Sequence, residues 1–342
     1  MNEETTVNIK DNVLNKTNVL PGLGICMAVA ILCMVASRFL GGVSPLLLAI
    51  LLGAAARNTV KIPQCLQPGI NLSAKSLLRW GVVLLGLQLS VQEVLALGPG
   101  VLVIVVSAVG ITFLVTVLLG RALKVDSELT VLIAAGFSIC GAAAVAGMQG
   151  VLKARDEVVA AAIALVVLFG TLMIPTVVLV VSALHLGTGD GGTFVGGAVH
   201  EVAQVVAAAG IAGGAPLLAI AVPIKLARVM LLAPMVAVVS LLRRRGSRSV
   251  AIQKRPPIIP LFVVGFIIMI GVATTGLIPE AALGLIKVLQ QFLLTSAMFA
   301  LGLGVHIKSL IHLGFRPVLL SFLATLTICG VVGCGILLGI GA

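Results

Sequence analysis

The chain has 342 residues, of which 60% are hydrophobic and only 10% are charged, and its formal net charge is +11. A soluble domain of this size needs roughly a quarter of its residues charged to cover its surface. The composition therefore excludes a soluble protein and predicts an integral membrane protein surrounded by the lipid bilayer. Six of the basic residues cluster between Arg243 and Arg255. A topology signal explains that cluster better than a binding patch, so we expect no nucleic-acid partner.

Eleven apolar segments follow one another along the chain, most of them about twenty residues long, which is the length that crosses roughly 30 Å of hydrocarbon. The segments cover residues 19–39, 43–57, 74–92, 98–120, 127–150, 157–182, 192–212, 216–242, 257–277, 282–304 and 315–341. The second is short, and the fifth and seventh are so rich in Gly and Ala that we do not expect unbroken helices there. The pattern predicts an all-α polytopic membrane protein with about eleven transmembrane helices.

The Lys and Arg residues of the short loops predict the orientation, because cytoplasmic loops carry an excess of them. If the N-terminus is cytoplasmic, the outer loops hold only Arg38, Lys153 and Arg155, and the cluster at 243–255 lies inside. We therefore expect residues 1–18 to form a cytoplasmic tail, residues 19–342 to form a single transmembrane transporter domain, and the C-terminus to lie outside.

A weak internal similarity links the two ends of the chain. Leu-Gly-Leu at 85–87 and Leu-Gly at 97–98 recur 216 residues later, at 301–303 and 313–314. The similarity pairs segment three with ten and four with eleven, which run in opposite directions. Inverted repeats of this kind are common in secondary transporters. Chance similarity between apolar helices explains the pattern equally well.

Four ionisable side chains interrupt the seventh and eighth segments, where they are costly and therefore informative. Measured from the turn near Gly213–Gly214, Glu201 lies about as deep as Lys225 and Arg228, with His200 beside it. Two fixed positive charges thus meet one carboxylate near the middle of the membrane. A buried surplus of positive charge predicts an anion site, and the planar fork of Arg suits an oxyanion. The alternative is a structural Glu201–Arg228 pair that ties two helices together.

A second feature is the stretch Gly136–Ala144 in segment five, where two glycines bracket small polar residues. It is typical of a discontinuous helix whose second half points free N–H groups at the membrane centre. A packing face of small residues is the alternative. The predicted substrate-binding residues are Ser138, Cys140, Gly141, Gln204, Lys225 and Arg228, and the predicted proton-coupling residues are His200 and Glu201.

The chain shows no motif for a cofactor or a metal. Its six cysteines form no C-x-x-C pair, and the chain lacks a phosphate-binding loop, so ATP is not the evident energy source. No spacing typical of a nucleophile and its base appears. We therefore expect no cofactor, no metal and no enzymatic activity.

Three stretches resemble the YeiH-type family of bacterial inner-membrane proteins, which are usually labelled sulfate exporters. They are G-F-S-I-C-G-A at 136–142, V-H-E-V-A-Q-V-V-A-A at 199–208 and K-L-A-R-V-M-L-L-A-P at 225–234. The resemblance covers nearly the whole chain. It implies a secondary transporter grouped with cation/proton antiporters and bile-acid-transporter-like folds, with inverted repeats and crossing broken helices. The chain departs from the family pattern at Ala143, where the family often has Ser, and this puts the substrate in question.

These observations together predict a secondary transporter of a small inorganic or organic anion, sulfate or a related oxyanion, in the bacterial inner membrane. Protonation of Glu201 would free Arg228 for the substrate and so couple transport to protons. One alternative is a cation/proton antiporter of the same fold group, which would be expected to carry a mid-membrane acidic pair. Another is an intramembrane enzyme that uses Ser138, Cys140, His200 and Glu201. A homodimer stays open.

Overall fold

The structure is a computed structural model that describes residues 19–39, 45–88, 91–246, 261–304 and 314–340. In those residues the chain forms helices and no strand. The predicted tail at 1–18 and the basic residues after Gly246 in the 243–255 cluster lie outside the described residues. The described part is nevertheless sufficient to place every predicted site residue.

The helices are numbered here in chain order. They are α1 (Leu20–Phe39), α2 (Pro45–Thr59), α3 (Gln64–Gln88), α4 (Val91–Ala96), α5 (Gly98–Ala122), α6 (Ser127–Cys140), α7 (Ala142–Leu152), α8 (Asp156–Ala183), α9 (Thr188–Ala198), α10 (Val202–Met230), α11 (Leu232–Gly246), α12 (Leu261–Thr274), α13 (Glu280–Gly302) and α14 (Phe315–Leu337).

Seven stretches of the described residues are long and apolar enough to cross a membrane, and three shorter apolar helices accompany them. The seven are Leu20–Phe39, Gln64–Gln88, Gly98–Ala122, Glu157–Ala183, Val202–Arg243, Ala281–Gly302 and Phe315–Leu337. This confirms an all-α polytopic membrane protein. The prediction of about eleven crossings and the prediction of inverted repeats remain predictions.

The chain forms two compact units. Among the described residues, those up to 81 and those at 288–304 form the first unit, and those between 82 and 287 and at 314–340 form the second. In the described part of the first unit, paired glycines let helices approach closely: a Cβ on Gly22 would lie 3.0 Å from the Cα of Gly69, and one on Gly53 would lie 3.0 Å from the Cα of Gly302. Small residues at such crossings are the usual packing device of membrane helices.

In the second unit, α6 and α7 form an antiparallel pair, called here the first hairpin. Asp126 caps the start of α6 by accepting the N–H groups of Glu128 and Leu129. The helix ends at Gly141, whose φ of +75° is readily adopted only by glycine. The chain then reverses, and the evidence is a short distance between the two arms: a Cβ on Gly136 would lie 2.9 Å from Val145 Cγ2. In an unbroken helix these residues would be about 13 Å apart.

The second hairpin is built from α9, residues 199–201 and the part of α10 before Gly214, and the backbone is extended at Val199 and Glu201. Leu217 Cδ1 would lie 2.9 Å from a Cβ on Gly213 and 3.2 Å from a Cβ on Gly191. The start of α9 therefore lies close to the end of the first part of α10, so these two arms are antiparallel. Gly214, with φ of +65°, reverses the chain again. The second part of α10 then runs back toward the tip of the hairpin.

The two hairpins confirm that segments five and seven contain no unbroken helix. The two arms of each hairpin run antiparallel, although the eleven-segment pattern counted each segment as one crossing. The end of the first hairpin lies beside α11, because Arg243 Nη1 donates to the carbonyl oxygen of Leu152 at 3.1 Å. Lys153 therefore lies next to the end of α11, whereas the positive-inside argument assigned Lys153 and Arg243 to opposite sides of the membrane. The sides themselves remain predictions. Hydropathy measures apolar length, and a helical hairpin contains enough of it to resemble one crossing.

Candidate functional site

The tip of each hairpin is its chain reversal, at Gly141 in the first hairpin and at residues 199–201 in the second. The two tips meet in the interior of the second unit. The rings of Phe137 and His200, one from each tip, are 4.6 Å apart between centroids. The ammonium of Lys225 bridges the tips, since its Nζ donates to the carbonyl oxygens of Ile139 at 2.8 Å and Val199 at 2.9 Å. The second part of α10 thus places the ammonium of Lys225 between the two chain reversals.

Arg228, one turn further along α10, uses its whole guanidinium on backbone carbonyls. Toward the first hairpin, Nε and Nη2 donate to Ser138 at 3.3 and 2.9 Å, and Nη2 also lies 3.3 Å from the carbonyl oxygen of Phe137. Toward the second hairpin, Nη1 donates to Gly197 at 2.7 Å, to Val199 at 2.8 Å and to Gly196 at 3.3 Å.

These carbonyls explain why two cations are buried here. They belong to the last residues of α6 and α9 and to the reversal after α9, where carbonyl groups have no intrahelical donor and the helix dipole leaves about half a negative charge. Lys225 and Arg228 are both 0% exposed. Buried cations are tolerated only where good hydrogen bonds replace their hydration. The eight hydrogen bonds to helix ends supply that replacement.

Glu201 binds N-terminal helix ends, whereas Lys225 and Arg228 bind C-terminal ends. It is the residue before α10, where its carboxylate accepts the backbone N–H of Gln204 and the amide of Gln204 reciprocates, with Oε1 of Gln204 3.1 Å from Glu201 N. Its Oε1 also accepts the N–H of Ala142, the first residue of α7, at 2.9 Å. One carboxylate therefore caps the N-termini of α7 and α10, the second arms of the two hairpins, where negative charge is favoured.

The structural Glu201–Arg228 pair, the alternative to an anion site, is absent from the described residues. The carboxylate of Glu201 contacts backbone N–H groups, and the guanidinium of Arg228 contacts backbone carbonyls. The two residues lie on the same tips but serve helix ends of opposite polarity. The idea that protonation of Glu201 frees Arg228 therefore loses its structural basis.

His200 is fully buried beside α14. Its Nε2 lies 3.1 Å from the hydroxyl of Thr325, which itself donates to the carbonyl oxygen of Ser321 at 2.9 Å. The tautomer of His200 determines which of the two groups donates the proton. Nδ1 of His200 has no hydrogen-bond partner among the described residues.

The remaining predicted residues lie at the same place in different roles. Ser138 donates its hydroxyl to the carbonyl oxygen of Ala134 at 2.6 Å, within its own helix. Cys140 is buried with a free thiol. Gly141 leaves room for Glu201, since a Cβ there would lie 2.3 Å from Glu201 Cγ. The structure therefore brings all eight predicted residues together at the tips, while their roles in binding and proton coupling remain predictions.

One side of the tips is more open than the other. Ala143, Val202 and Ala203, in the first turns of α7 and α10, are partly exposed, as is Glu201. The opposite side, where Lys225 and Arg228 lie, is called here the cation side. Its residues, including Ile139 and Val199, are buried. First turns of helices carry N–H groups without intrahelical partners. No group of three or more His, Cys, Asp or Glu that could hold a metal occurs in the part of the chain that the structure describes.

The sequence profile of the family described as conserved hypothetical protein 698 matches residues 21–321. The chain belongs to this family. A UPF0324 membrane protein of Corynebacterium glutamicum is 44% identical over 330 residues, covering 96% of this chain and 95% of the relative. The corresponding protein of Bacillus cereus is 37% identical over 301 residues (86% and 87%). That of Brucella melitensis is 34% identical over 323 residues (91% and 88%). No solved structure matches the chain.

Membership of the conserved hypothetical protein 698 family confirms the YeiH-type resemblance at the level of the family. The relatives are named as bacterial membrane proteins, which agrees with the multi-pass helical fold. Their names state no substrate.

Sequence reasoning missed several residues that complete the site. Thr325 orients His200, and Gly170 makes room for Gln204, because a Cβ on Gly170 would lie 2.2 Å from the amide oxygen of Gln204. Phe137 supplies both a ring and a carbonyl. Thr and Gly are common in apolar helices, so neither stands out in the sequence. Carbonyl ligands carry no side-chain signature at all.

Proposed function

We propose that this family member is a secondary transporter that moves a small anion, sulfate or a related oxyanion, together with protons. The observation that supports the proposal is a buried surplus of positive charge at the meeting point of the two hairpin tips. Lys225 and Arg228 are fully buried, and the carboxylate of Glu201 is the acid at the same tips. The charged side chains at the tips all bind backbone groups, and among the described residues none of them is paired with a nucleophile. This arrangement favours a transporter over an enzyme.

The charges can be added up at the tips. Two cations and one carboxylate leave one positive charge. The C-terminal ends of α6 and α9 contribute about −0.5 each, and the N-terminal ends of α7 and α10 contribute about +0.5 each, so the helix dipoles cancel. A surplus of about one positive charge remains with His200 neutral. Such a surplus is costly in an apolar interior unless an anion compensates it.

The open side of the tips is where we place the anion. The guanidinium fork of Arg228 is already occupied, so the N-terminal turns of α7 and α10 are the available donors, with both cations behind them. Helix N-termini bind oxyanions through this combination of N–H groups and dipole. The Glu201 carboxylate now fills that position. When Glu201 is protonated, an oxyanion replaces its negative charge, and one proton travels with the substrate.

The hairpins also change the proposed topology. Because segments five and seven return to their starting sides, we propose nine crossings instead of eleven, with the N-terminus still cytoplasmic and the C-terminus outside. Lys153 and Arg155 then join the cluster at 243–255 on the cytoplasmic side, which improves agreement with the positive-inside rule. We place the protein in the bacterial inner membrane. The inverted repeats and the homodimer stay predictions.

The cation/proton antiporter is the nearest competing function. A cation bound at Glu201 would face two helix N-termini and two buried cations at close range, all of which repel it. An anion at the same position would be attracted by all four. The electrostatics of the tips therefore favours the anion.

Transport by purified protein in liposomes tests the proposal. With the outside more acidic, we expect one anion from a panel of sulfate, sulfite, thiosulfate, phosphate and small carboxylates to accumulate inside saturably. Glu201→Gln should lose accumulation driven by the pH gradient but keep exchange of labelled for unlabelled anion, because the variant is fixed in the uncharged state. Glu128→Gln, at the other end of α6, is the matched control and should behave as wild type.

Three outcomes would contradict the proposal. Movement of Na⁺ or K⁺ in exchange for protons, with no anion moved, would establish the antiporter. A solute recovered in chemically altered form would establish an enzyme. Anion accumulation that is independent of the pH gradient in wild type would remove the role of Glu201 as the coupling group.

A further inference from the structure

We propose that Lys225 is a tethered cation: its ammonium occupies a carbonyl site between the two hairpin tips that would otherwise bind a free monovalent cation. The carrier would therefore need neither Na⁺ nor K⁺. This conclusion about coupling rests on the proposed transport function, whereas the existence of the site does not.

The geometry around Lys225 Nζ is that of a cation site made from backbone. Its two recorded partners are carbonyl oxygens at 2.8 and 2.9 Å, one from the tip of each hairpin. Both belong to fully buried residues, Ile139 and Val199, and no carboxylate contacts the ammonium among the described residues. Rings of carbonyl oxygens that replace the hydration shell are how membrane proteins hold monovalent cations.

The position of the ammonium also explains why the tips need a cation. Two C-terminal helix ends converge there, and each carries about half a negative charge. Arg228 donates to the neighbouring carbonyls of Phe137, Ser138, Gly196 and Gly197. Arg228 and Lys225 share one acceptor, the carbonyl of Val199. Without Lys225, the carbonyl of Ile139 would lose its recorded side-chain donor in a buried location. An ion or a polar molecule would then have to replace it.

A tethered cation cannot dissociate, and this has a functional consequence. A carrier that binds Na⁺ at such a place releases it once per cycle and gains its electrochemical gradient. A lysine on α10 holds the tips together in every state without that exchange. Among the charged groups at the tips, Glu201 is then the one free to exchange its ion, the proton.

Removal of the lysine side chain tests the site directly. Lys225→Ala should leave a cavity that accepts a small cation. In detergent, the thermal midpoint of this variant should rise with ammonium, methylammonium or Na⁺ but not with N-methylglucamine, which is too large, all compared at equal ionic strength. A shift of about 3 °C is expected at ten times the dissociation constant of the added cation. Wild type and Lys287→Ala, which removes an exposed lysine, should not respond selectively.

A second measurement is independent of the variant's folding. Anion transport by wild-type protein in liposomes should be unchanged when Na⁺ and K⁺ are replaced by N-methylglucamine on both sides. A requirement for either alkali cation would overturn the proposal. So would a folded Lys225→Ala protein that no small cation stabilises. If no anion is transported at all, the proposed function fails, and the cation-dependent midpoint of Lys225→Ala still decides whether the site exists.

Discussion

Replacement of Arg228 by methionine distinguishes two roles for this residue, that of a structural cation and that of a substrate ligand. The change keeps most of the side-chain volume but removes every N–H donor. The carbonyls of Phe137, Ser138, Gly196 and Gly197 then lose the guanidinium, whereas Val199 keeps Lys225. An arginine whose only task was to bind an anion would leave no such groups behind.

The magnitude follows from those four carbonyls. A buried acceptor left without a donor costs about 1–3 kcal/mol. Removing the guanidinium also removes the cost of burying its charge, so the effects partly cancel. Loss of one partner from a buried charged network typically costs about 3–5 kcal/mol. At about 2–4 °C per kcal/mol, the thermal midpoint should fall by about 10 °C.

The assay is thermal unfolding of purified protein in detergent, without any anion present. Arg38→Met, at the exposed end of α1, is the matched control and should melt within about 2 °C of wild type. Arg228→Lys should fall between the two, since an ammonium keeps the charge but offers three donors. An Arg228→Met protein that melts like wild type and has lost only its response to anions would refute the helix-end role and restore the substrate role.

Two further predictions concern the hairpins. Gly141→Ala should abolish anion accumulation and lower stability, because a Cβ would lie 2.3 Å from Glu201 Cγ and the backbone conformation costs a non-glycine residue about 1–3 kcal/mol. Gly150→Ala, which meets nothing within 4 Å, is its control, and equal loss in both variants would contradict the argument. In a cysteine-free background, Lys153→Cys and Arg243→Cys should react with a membrane-impermeant thiol reagent from the same side. Labelling from opposite sides would exclude the first hairpin as described.

The sequence predicted the position of the site better than its construction. The count of residues from Gly214 predicted that Glu201 lies level with Lys225, and in the structure Lys225 Nζ lies 2.9 Å from the carbonyl oxygen of Val199, two residues before Glu201. The Gly-rich stretch around Gly141 correctly predicted a break. The direction of the chain after the break was not predictable, because a glycine permits a reversal and a continuation equally well.

The partners of the charges were also beyond the reach of the sequence. A lone acid beside two bases predicts an ion pair, since opposite charges attract. In the folded protein, helix ends provide competing charges of both signs, and they outnumber the side chains. Arg228 and Lys225 therefore went to carbonyls and Glu201 to N–H groups, as the dipoles require. Only the positions of the helix ends, which depend on the reversals, reveal this.

The sorting of charges determines which part of the tips can open. Eight hydrogen bonds from Lys225 and Arg228 join both hairpins to α10 on the cation side. On the other side, among the described residues, the hydrogen bond from Ala142 N–H to the carboxylate of Glu201 joins the hairpins. Breaking all eight of these charged hydrogen bonds would cost far more than breaking the one at Glu201, so in the proposed transport cycle we expect the cation side to stay closed. We therefore propose that substrate enters beside Glu201, where protonation converts the charged hydrogen bond to Ala142 into a weaker, neutral one. In the proposed mechanism, binding of the proton and opening of the site are then coupled.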